Sequence, residues 1–152
     1  MTDAQFARAF ERGEIPNAAF HHDAHLRLAW HYLRENASAP EATERMAASL
    51  RQFAAAAGKL EKYHHTLTVF WIRALALAGA SMRDREATDV LRVCPRLLDK
   101  ELPLAFYSRE RLFSDAARLS WVAPDRQPLT ADAPALRSSD SQSDTPDRSL
   151  RR

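Results

Sequence analysis

Glycine is rare in this chain, and its apolar residues recur at spacings of three and four positions. Only 3 of the 152 residues are Gly, and β-branched residues, which favour strands, are few. Apolar positions spaced by three and four residues form one face of an α-helix, whereas a half-buried strand needs alternation. The sequence therefore predicts an all-α domain with essentially no sheet.

Four main helices are predicted from the apolar spacing and from capping residues. They run from about Asp3 to Arg12, from a start between Asn17 and Asp23 to about Asn36, from Ser38 to about Gly58, and from about Leu60 to Ala80. Thr2 and Gln5 are spaced as a capping box at the start of the first helix, and Ser38 and Glu41 are spaced in the same way at the start of the third. Gly58 stands where a helix C-terminus favours glycine.

Shorter helices are predicted after residue 85, interrupted at Pro95 and Pro103. Ser108 and Ser114 are placed to cap two short helices, which we name the helical lid. From about residue 130 the chain is rich in Ser, Asp, Pro and Arg and has no periodicity, which is typical of disorder. The prediction is a compact helical bundle of four main helices with a short C-terminal lid in one domain, 1–129, followed by a disordered tail, 130–152.

Charge and cysteine content exclude several classes of function. The 22 Lys and Arg residues nearly balance 20 Asp and Glu residues, without the clustered basic stripe that nucleic-acid binding requires. Cys94 is the single cysteine, so neither an internal disulfide nor a cysteine-zinc module is available. The N-terminus lacks a signal-peptide pattern, and the longest apolar stretch, 67–80, is too short to span a bilayer. We expect a cytoplasmic protein without nucleic-acid or membrane partners; its oligomeric state is open.

All six histidines fall in two of the predicted helices. His21, His22, His25 and His31 lie in the second, and His64 and His65 lie in the fourth. At about 100° per residue, His22 and His25 extend the apolar face of the second helix, whereas His31 lies on the opposite side. His64 aligns with Trp71 on the inner face of the fourth helix. His22, His25 and His64 are therefore predicted to point into the core.

Two imidazoles one turn apart and a third from a facing helix can bind one metal ion. A shared cation would satisfy polar nitrogens that are expensive to bury without partners. The prediction is a mononuclear site in which His22, His25 and His64 hold one divalent transition metal: zinc, copper or iron. The alternative is that each histidine is satisfied separately by a carboxylate, a carbonyl or water. The carboxylates predicted to support a ligating imidazole are Asp23, Glu61, Asp99 and Glu101.

The lid contains a short run of polar residues, Tyr107-Ser108-Arg109-Glu110-Arg111. A guanidinium offers paired donors that fit a carboxylate or a phosphate. Tyr107 and Arg109 are therefore predicted as catalytic residues that orient a substrate. The alternative for Arg109 is an ion pair with a surface acid.

Residues 20–30 (FHHDAHLRLAW), 62–66 (KYHHT), 97–100 (LLDK) and 107–112 (YSRERL) carry a resemblance to a known family. With the patterns F-x-H-x-x-H, K-Y-H-x-T and Y-S-R-E-R-L, the chain resembles a family of small uncharacterised helical bacterial proteins, from about residue 20 to 121. The histidines that match the family pattern are His22, His25 and His64. The resemblance implies a shared site at these positions and implies no particular reaction.

The functional prediction is a small helical metalloprotein, and an enzyme acting on a small polar or anionic substrate. A metal held by three histidines could act as a Lewis acid, generate hydroxide or bind oxygen. No His-Glu-x-x-His motif and no glycine-rich phosphate loop is present to decide the reaction. The alternatives are a non-catalytic ligand-binding or regulatory module and a purely structural adaptor.

Overall fold

The computed structural model describes residues 1–137. Its α-helices are α1 (Asp3–Glu11), α2 (His22–Glu35), α3 (Ala39–Ala56), α4 (His65–Ala78), α5 (Ala87–Val93), α6 (Arg109–Leu112), α7 (Asp115–Leu119) and α8 (Pro134–Arg137). Single 3₁₀ turns lie at Asn17–Ala19, Leu60–Lys62, Pro95–Leu98 and Leu102–Ala105. All regular elements in this part of the chain are helical, which confirms the predicted fold class.

The predicted capping residues begin the helices as expected. The Thr2 hydroxyl accepts a hydrogen bond from the Gln5 amide at 3.1 Å, and the Gln5 side chain accepts one from the Thr2 amide at 2.8 Å. Ser38 accepts a hydrogen bond from the Glu41 amide at 3.2 Å at the start of α3. Gly58 follows α3 with a φ of +70°, a backbone conformation that favours glycine.

Helices α2 and α4 run in the same direction through the core. The centroids of the His22 and Trp71 rings lie 4.6 Å apart. Eight residues further along the chain from each of them, Trp30 lies against Gly79, the residue that follows α4. Helix α3 connects them and packs on both. The starts of α2 and α4 consequently meet at one end of the bundle, beside the end of α3. Within residues 1–137, no helix combines the length and the apolar character needed to cross a membrane.

A buried carboxylate joins α1 to two other helices. Asp3 is almost fully buried; its Oδ1 accepts a hydrogen bond from Arg27 Nε at 2.7 Å and its Oδ2 accepts one from the Ala87 amide at 2.6 Å. A buried charge is tolerated when it is paired and fully hydrogen-bonded in this way. The contact holds the N-terminal helix against α2 and the start of α5.

The predicted fourth helix, from Leu60 to Ala80, is divided in the structure. A 3₁₀ turn occupies Leu60–Lys62, and α4 begins only at His65. His64 is the residue before α4, with a φ of −127°, and its side chain accepts a hydrogen bond from the Leu67 amide. The helical-wheel argument for His64 was therefore wrong, because this residue caps the helix rather than lying on its face.

The helical lid forms as predicted, and it is attached to the main bundle. Ser108 and Ser114 accept hydrogen bonds from the amides three residues later, at 3.2 Å and 3.1 Å. Helix α7 packs on α4, and the Thr66 hydroxyl donates to the Ser120 carbonyl at 2.9 Å. Such short helices need these tertiary contacts because they are unstable alone.

The predicted start of the disordered tail at residue 130 is too early. Ala133 and Leu136 are buried in the core, and α8 packs on the turns Pro95–Leu98 and Leu102–Ala105. These two apolar side chains, three positions apart, attach a single helical turn to the core. A pair this short gives no periodicity that the sequence could show. The packed domain therefore extends to Arg137, and residues 138–152 of the predicted tail lie outside the described residues.

Replacing Gly79 with Ala should destabilise the protein. A Cβ at this position would lie 2.5 Å from Trp30 Cη2 and 2.7 Å from Trp30 Cζ3, and Trp30 is fully buried. Overpacking of this kind costs about 2 kcal/mol of unfolding free energy. Urea denaturation of Gly79→Ala measures the loss, and Ala80→Ser, at an exposed neighbouring position, should change it by less than about 0.5 kcal/mol. Wild-type stability of Gly79→Ala would contradict the packing described.

Candidate functional site

The three predicted histidines lie around one cavity of about 440 Å³. His22 and His25 come from the start of α2, and His64 immediately precedes α4, so the parallel course of these helices brings the three together. We name this space the histidine–lysine cavity, after six residues that line it: His22, His25, His64, Lys59, Lys62 and Lys100.

His22 holds the turn that follows α5. Its Nε2 lies 2.9 Å from the Leu97 carbonyl oxygen, and only a protonated Nε2 can donate to a carbonyl. Burial lowers the pKa of His22, and the bond to Leu97 opposes that shift. The imidazole is therefore neutral at pH 7, which leaves the lone pair of Nδ1 free of a proton.

His64 is hydrogen-bonded at both ring nitrogens. Nδ1 accepts a hydrogen bond from the Leu67 amide at 3.1 Å, and Nε2 donates to the Leu112 carbonyl at 2.7 Å. Burial lowers its pKa as well. This neutral side chain caps α4 and attaches the end of α6, so it has no unused lone pair.

His25 differs from the other two because neither of its ring nitrogens has a hydrogen-bond partner within residues 1–137. Its ring packs against the Phe20 ring with a centroid separation of 4.9 Å. Burial, with a smaller contribution from His22, lowers the pKa of His25 to about 4. The neutral nitrogens of His25 are therefore available to a molecule in the cavity.

The three imidazoles share the cavity without forming a ligand set for a metal. In the described part of the chain, no group of three His, Cys, Asp or Glu side chains is placed to hold a metal ion. His22 and His64 are instead satisfied separately by backbone groups, which was the alternative interpretation. A site formed by all three would require His64 to give up one of its two hydrogen bonds, and it stays a prediction.

The four acids predicted to support the histidines are all exposed: Asp23, Glu61, Asp99 and Glu101. Within residues 1–137, none of them accepts a hydrogen bond from an imidazole. The imidazole N–H groups of His22 and His64 donate instead to the backbone carbonyls of Leu97 and Leu112. The charges of Asp23 and Asp99 raise the pKa of His22 by less than burial lowers it.

The structure does not bring Tyr107 or Arg109 to the cavity. Tyr107 is fully buried and its hydroxyl donates to the Val122 carbonyl at 2.7 Å. Burial raises the pKa of this phenol, so it stays protonated. Arg109 is exposed in the first turn of α6. Neither side chain lines the histidine–lysine cavity, so their predicted catalytic role has no support from the geometry.

Three lysines, which sequence reasoning missed, surround the opening of the cavity. Lys59 immediately precedes the 3₁₀ turn before α4 and Lys62 is its last residue. Residues three apart in such a turn lie on the same side. Lys100 belongs to the segment after α5. All three are exposed and line the cavity, whereas no Asp or Glu among residues 1–137 does so. The sequence contains a signal, since these are its only lysines beside 19 arginines.

The inner walls of the cavity are mainly apolar. They are formed by Phe20, Leu50, Phe53, Ala54, Leu67 and Trp71. The rings of Phe20 and Phe53 are 5.1 Å apart and both belong to an aromatic cluster with Phe10. The cavity therefore combines a cationic opening, apolar walls and neutral imidazoles.

The depressed pKa of His25 predicts a loss of stability in acid. The folded-state pKa is about 4, against an ordinary value of 6.5, so between these values the unfolded chain binds more protons than the folded protein. The free energy of unfolding must then decrease as the pH falls from 6.5 towards 4. Between pH 7.5 and 4.5, wild type should lose about 2 kcal/mol more than His25→Gln. Urea denaturation at several pH values measures this, and parallel curves for both proteins would contradict it.

Comparisons of the chain with protein-family models, with curated proteins and with solved structures find no match. The resemblance to a family of small helical bacterial proteins accordingly stays a prediction.

Proposed function

We propose that the histidine–lysine cavity binds a small organic anion with an apolar body. The observation that carries this proposal is that all three lysines of the chain line one cavity without an acidic neighbour in its lining. The ligand's carboxylate or phosphate would face the lysines at the opening, and its apolar part would lie against the inner walls.

The lysines are available for a ligand because the protein does not use them in its own ion pairs. Every ion pair within residues 1–137 is formed by an arginine. An ammonium group is a compact charge on a flexible stem and binds phosphate or carboxylate without a fixed orientation. Lys59, Lys62 and Lys100 therefore provide ammonium groups at the cavity that no ion pair within residues 1–137 occupies.

The backbone adds partial positive charge at the cavity, and the volume of the cavity suits a small molecule. The starts of α2 and α4 border the cavity and carry partial positive charge, which the end of α3 offsets in part. A volume of about 440 Å³ lies within the usual range for small-molecule sites, which are mostly apolar with a few polar groups. Phe20, Phe53 and Trp71 supply that apolar surface.

Removal of single lysines should weaken the binding of an organic anion. Lys59→Gln, Lys62→Gln and Lys100→Gln should each raise the Kd of phenyl phosphate and 3-phenylpropanoate by about 2-fold to 5-fold, because exposed charge pairs contribute up to about 1 kcal/mol. Raising the salt concentration should weaken wild-type binding in the same direction. Isothermal titration calorimetry measures each Kd.

Arg109→Gln is the matched control, since it removes one positive charge at an exposed position outside the cavity. It should leave both Kd values unchanged. Equal weakening by Arg109→Gln and by the lysine variants would show non-specific attraction and contradict the proposal. Failure of wild type to bind any organic acid would also contradict it.

A second candidate function, the metal-dependent enzyme, is favoured by one observation. His22 and His25 lie one turn apart on α2, and Nδ1 of His22 and both ring nitrogens of His25 have no hydrogen-bond partner within residues 1–137. Metal analysis of protein purified without a histidine tag tests this candidate. Near-stoichiometric metal that is lost in His22→Ala and in His64→Ala would support it, whereas a metal-free wild type of full stability would contradict it.

A further inference from the structure

We propose that the anion bound in the histidine–lysine cavity is a hydroxylated aromatic acid whose hydroxyl group pairs with His25. This inference rests on the proposed function and adds the identity of the ligand's second polar group. It follows from His25, whose ring lines the cavity and has two nitrogens without a hydrogen-bond partner within residues 1–137.

The other polar groups on the inner side of the cavity are already used by the protein. His22 and His64 are bonded to backbone carbonyls, and the Thr68 hydroxyl donates to the His64 carbonyl at 3.0 Å. The Tyr63 hydroxyl shares a hydrogen bond with His65 Nδ1 at 2.8 Å. A ligand that reaches the inner walls therefore meets a single free acceptor at His22, its Nδ1, and two unpaired ring nitrogens, one donor and one acceptor, at His25.

His25 lies where a ligand in the cavity can reach it. The side chain is half-buried, its ring is held against Phe20, and it lines the cavity. Its ring nitrogens are not sealed in the core, so they are accessible to water from the cavity. A ligand that displaces this water must supply a hydrogen bond to His25, because a polar nitrogen that is desolvated without a partner is costly.

A hydroxyl group suits His25 better than a second anionic group. The neutral imidazole has one donor and one acceptor nitrogen, and a hydroxyl can both donate and accept, so it pairs with either tautomer. A carboxylate beside His25 would be buried among apolar groups, away from the lysines at the opening. The second polar group is therefore uncharged.

The walls between His25 and the lysines favour an aromatic ring as the body of the ligand. Phe20, Phe53 and Trp71 line the cavity together, and aromatic side chains bind a flat ring through offset or edge-to-face contacts. The resulting ligand has an anionic group at one end, a ring in the middle and a hydroxyl group at the other end.

Three matched pairs of acids, which differ only in the hydroxyl group, test the inference. The pairs are 4-hydroxybenzoate with benzoate, 4-hydroxyphenylacetate with phenylacetate, and 3-(4-hydroxyphenyl)propanoate with 3-phenylpropanoate. Titration calorimetry with wild type should show about 10-fold tighter binding of the hydroxylated acid in at least one pair, because a site built around a hydroxyl group discriminates against its absence. In His25→Leu the ratio for that pair should fall to about one.

Two further measurements separate a specific role of His25 from damage to the fold. His25→Leu should retain wild-type helical content and should still bind the acid that lacks the hydroxyl group. His21→Leu, at an exposed position on the same segment, should keep the wild-type ratio. In ¹⁵N NMR spectra, the His25 ring nitrogens should shift with the hydroxylated acid more than with its partner.

The outcomes distinguish this inference from the proposed function. Equal binding within all three pairs, with weakening in the lysine variants, would overturn the inference and leave the proposed function standing. A ratio that persists in His25→Leu would overturn it as well, because the hydroxyl group would then pair elsewhere. Absence of binding by every acid would overturn both.

Discussion

The close approach of Trp30 to Gly79 determines how the two central helices are placed. Trp30 is fully buried and its indole N–H donates to the Arg85 carbonyl at 2.8 Å, which satisfies its polar atom at the edge of the core. The ring occupies the space that any side chain at position 79 would need. Together with the contact between His22 and Trp71, it aligns α2 and α4 in parallel. The starts of both helices then lie at one end, and the histidine–lysine cavity is formed there.

The charged groups of the cavity and its uncharged polar groups lie in different parts of it. Its lysines are exposed, where water lowers the cost of their charges, and its imidazoles lie deeper, where burial lowers the pKa of each and keeps it neutral. A bound anion would therefore meet positive charge at the opening, whereas the deeper groups offer hydrogen bonds alone. Because the inner walls are mainly apolar, the part of a bound anion that reaches them would have to be apolar as well.

Local signals were sufficient to predict the helices that begin at a side-chain cap and the histidines that line the cavity, but not the start of α4 or the lysines. Capping residues such as Thr2 and Ser38 act within four residues, so the sequence alone places the starts of α1 and α3. The role of His64 was missed because the 3₁₀ turn before it interrupts the predicted helix and turns this side chain into a cap. The lysines are rare in the sequence, but 38 positions separate Lys62 from Lys100, so their rarity does not show that they lie close together. Only the packing of the turn after α5 against the start of α2 brings them to one cavity.

Of the three histidines in the sequence pattern, His22 and His64 hold backbone segments in place, whereas His25 does not. The segments that contain Leu97 and Leu112 are too short to satisfy their own carbonyls by helical bonding, and His22 and His64 donate to those carbonyls. Such residues would be required at their positions whether or not the protein binds a ligand. His25 has no comparable task, since its ring only packs on Phe20, which an apolar side chain could do more cheaply. Its ring nitrogens are left to water or to a molecule in the cavity, and the proposed ligand contact would form there.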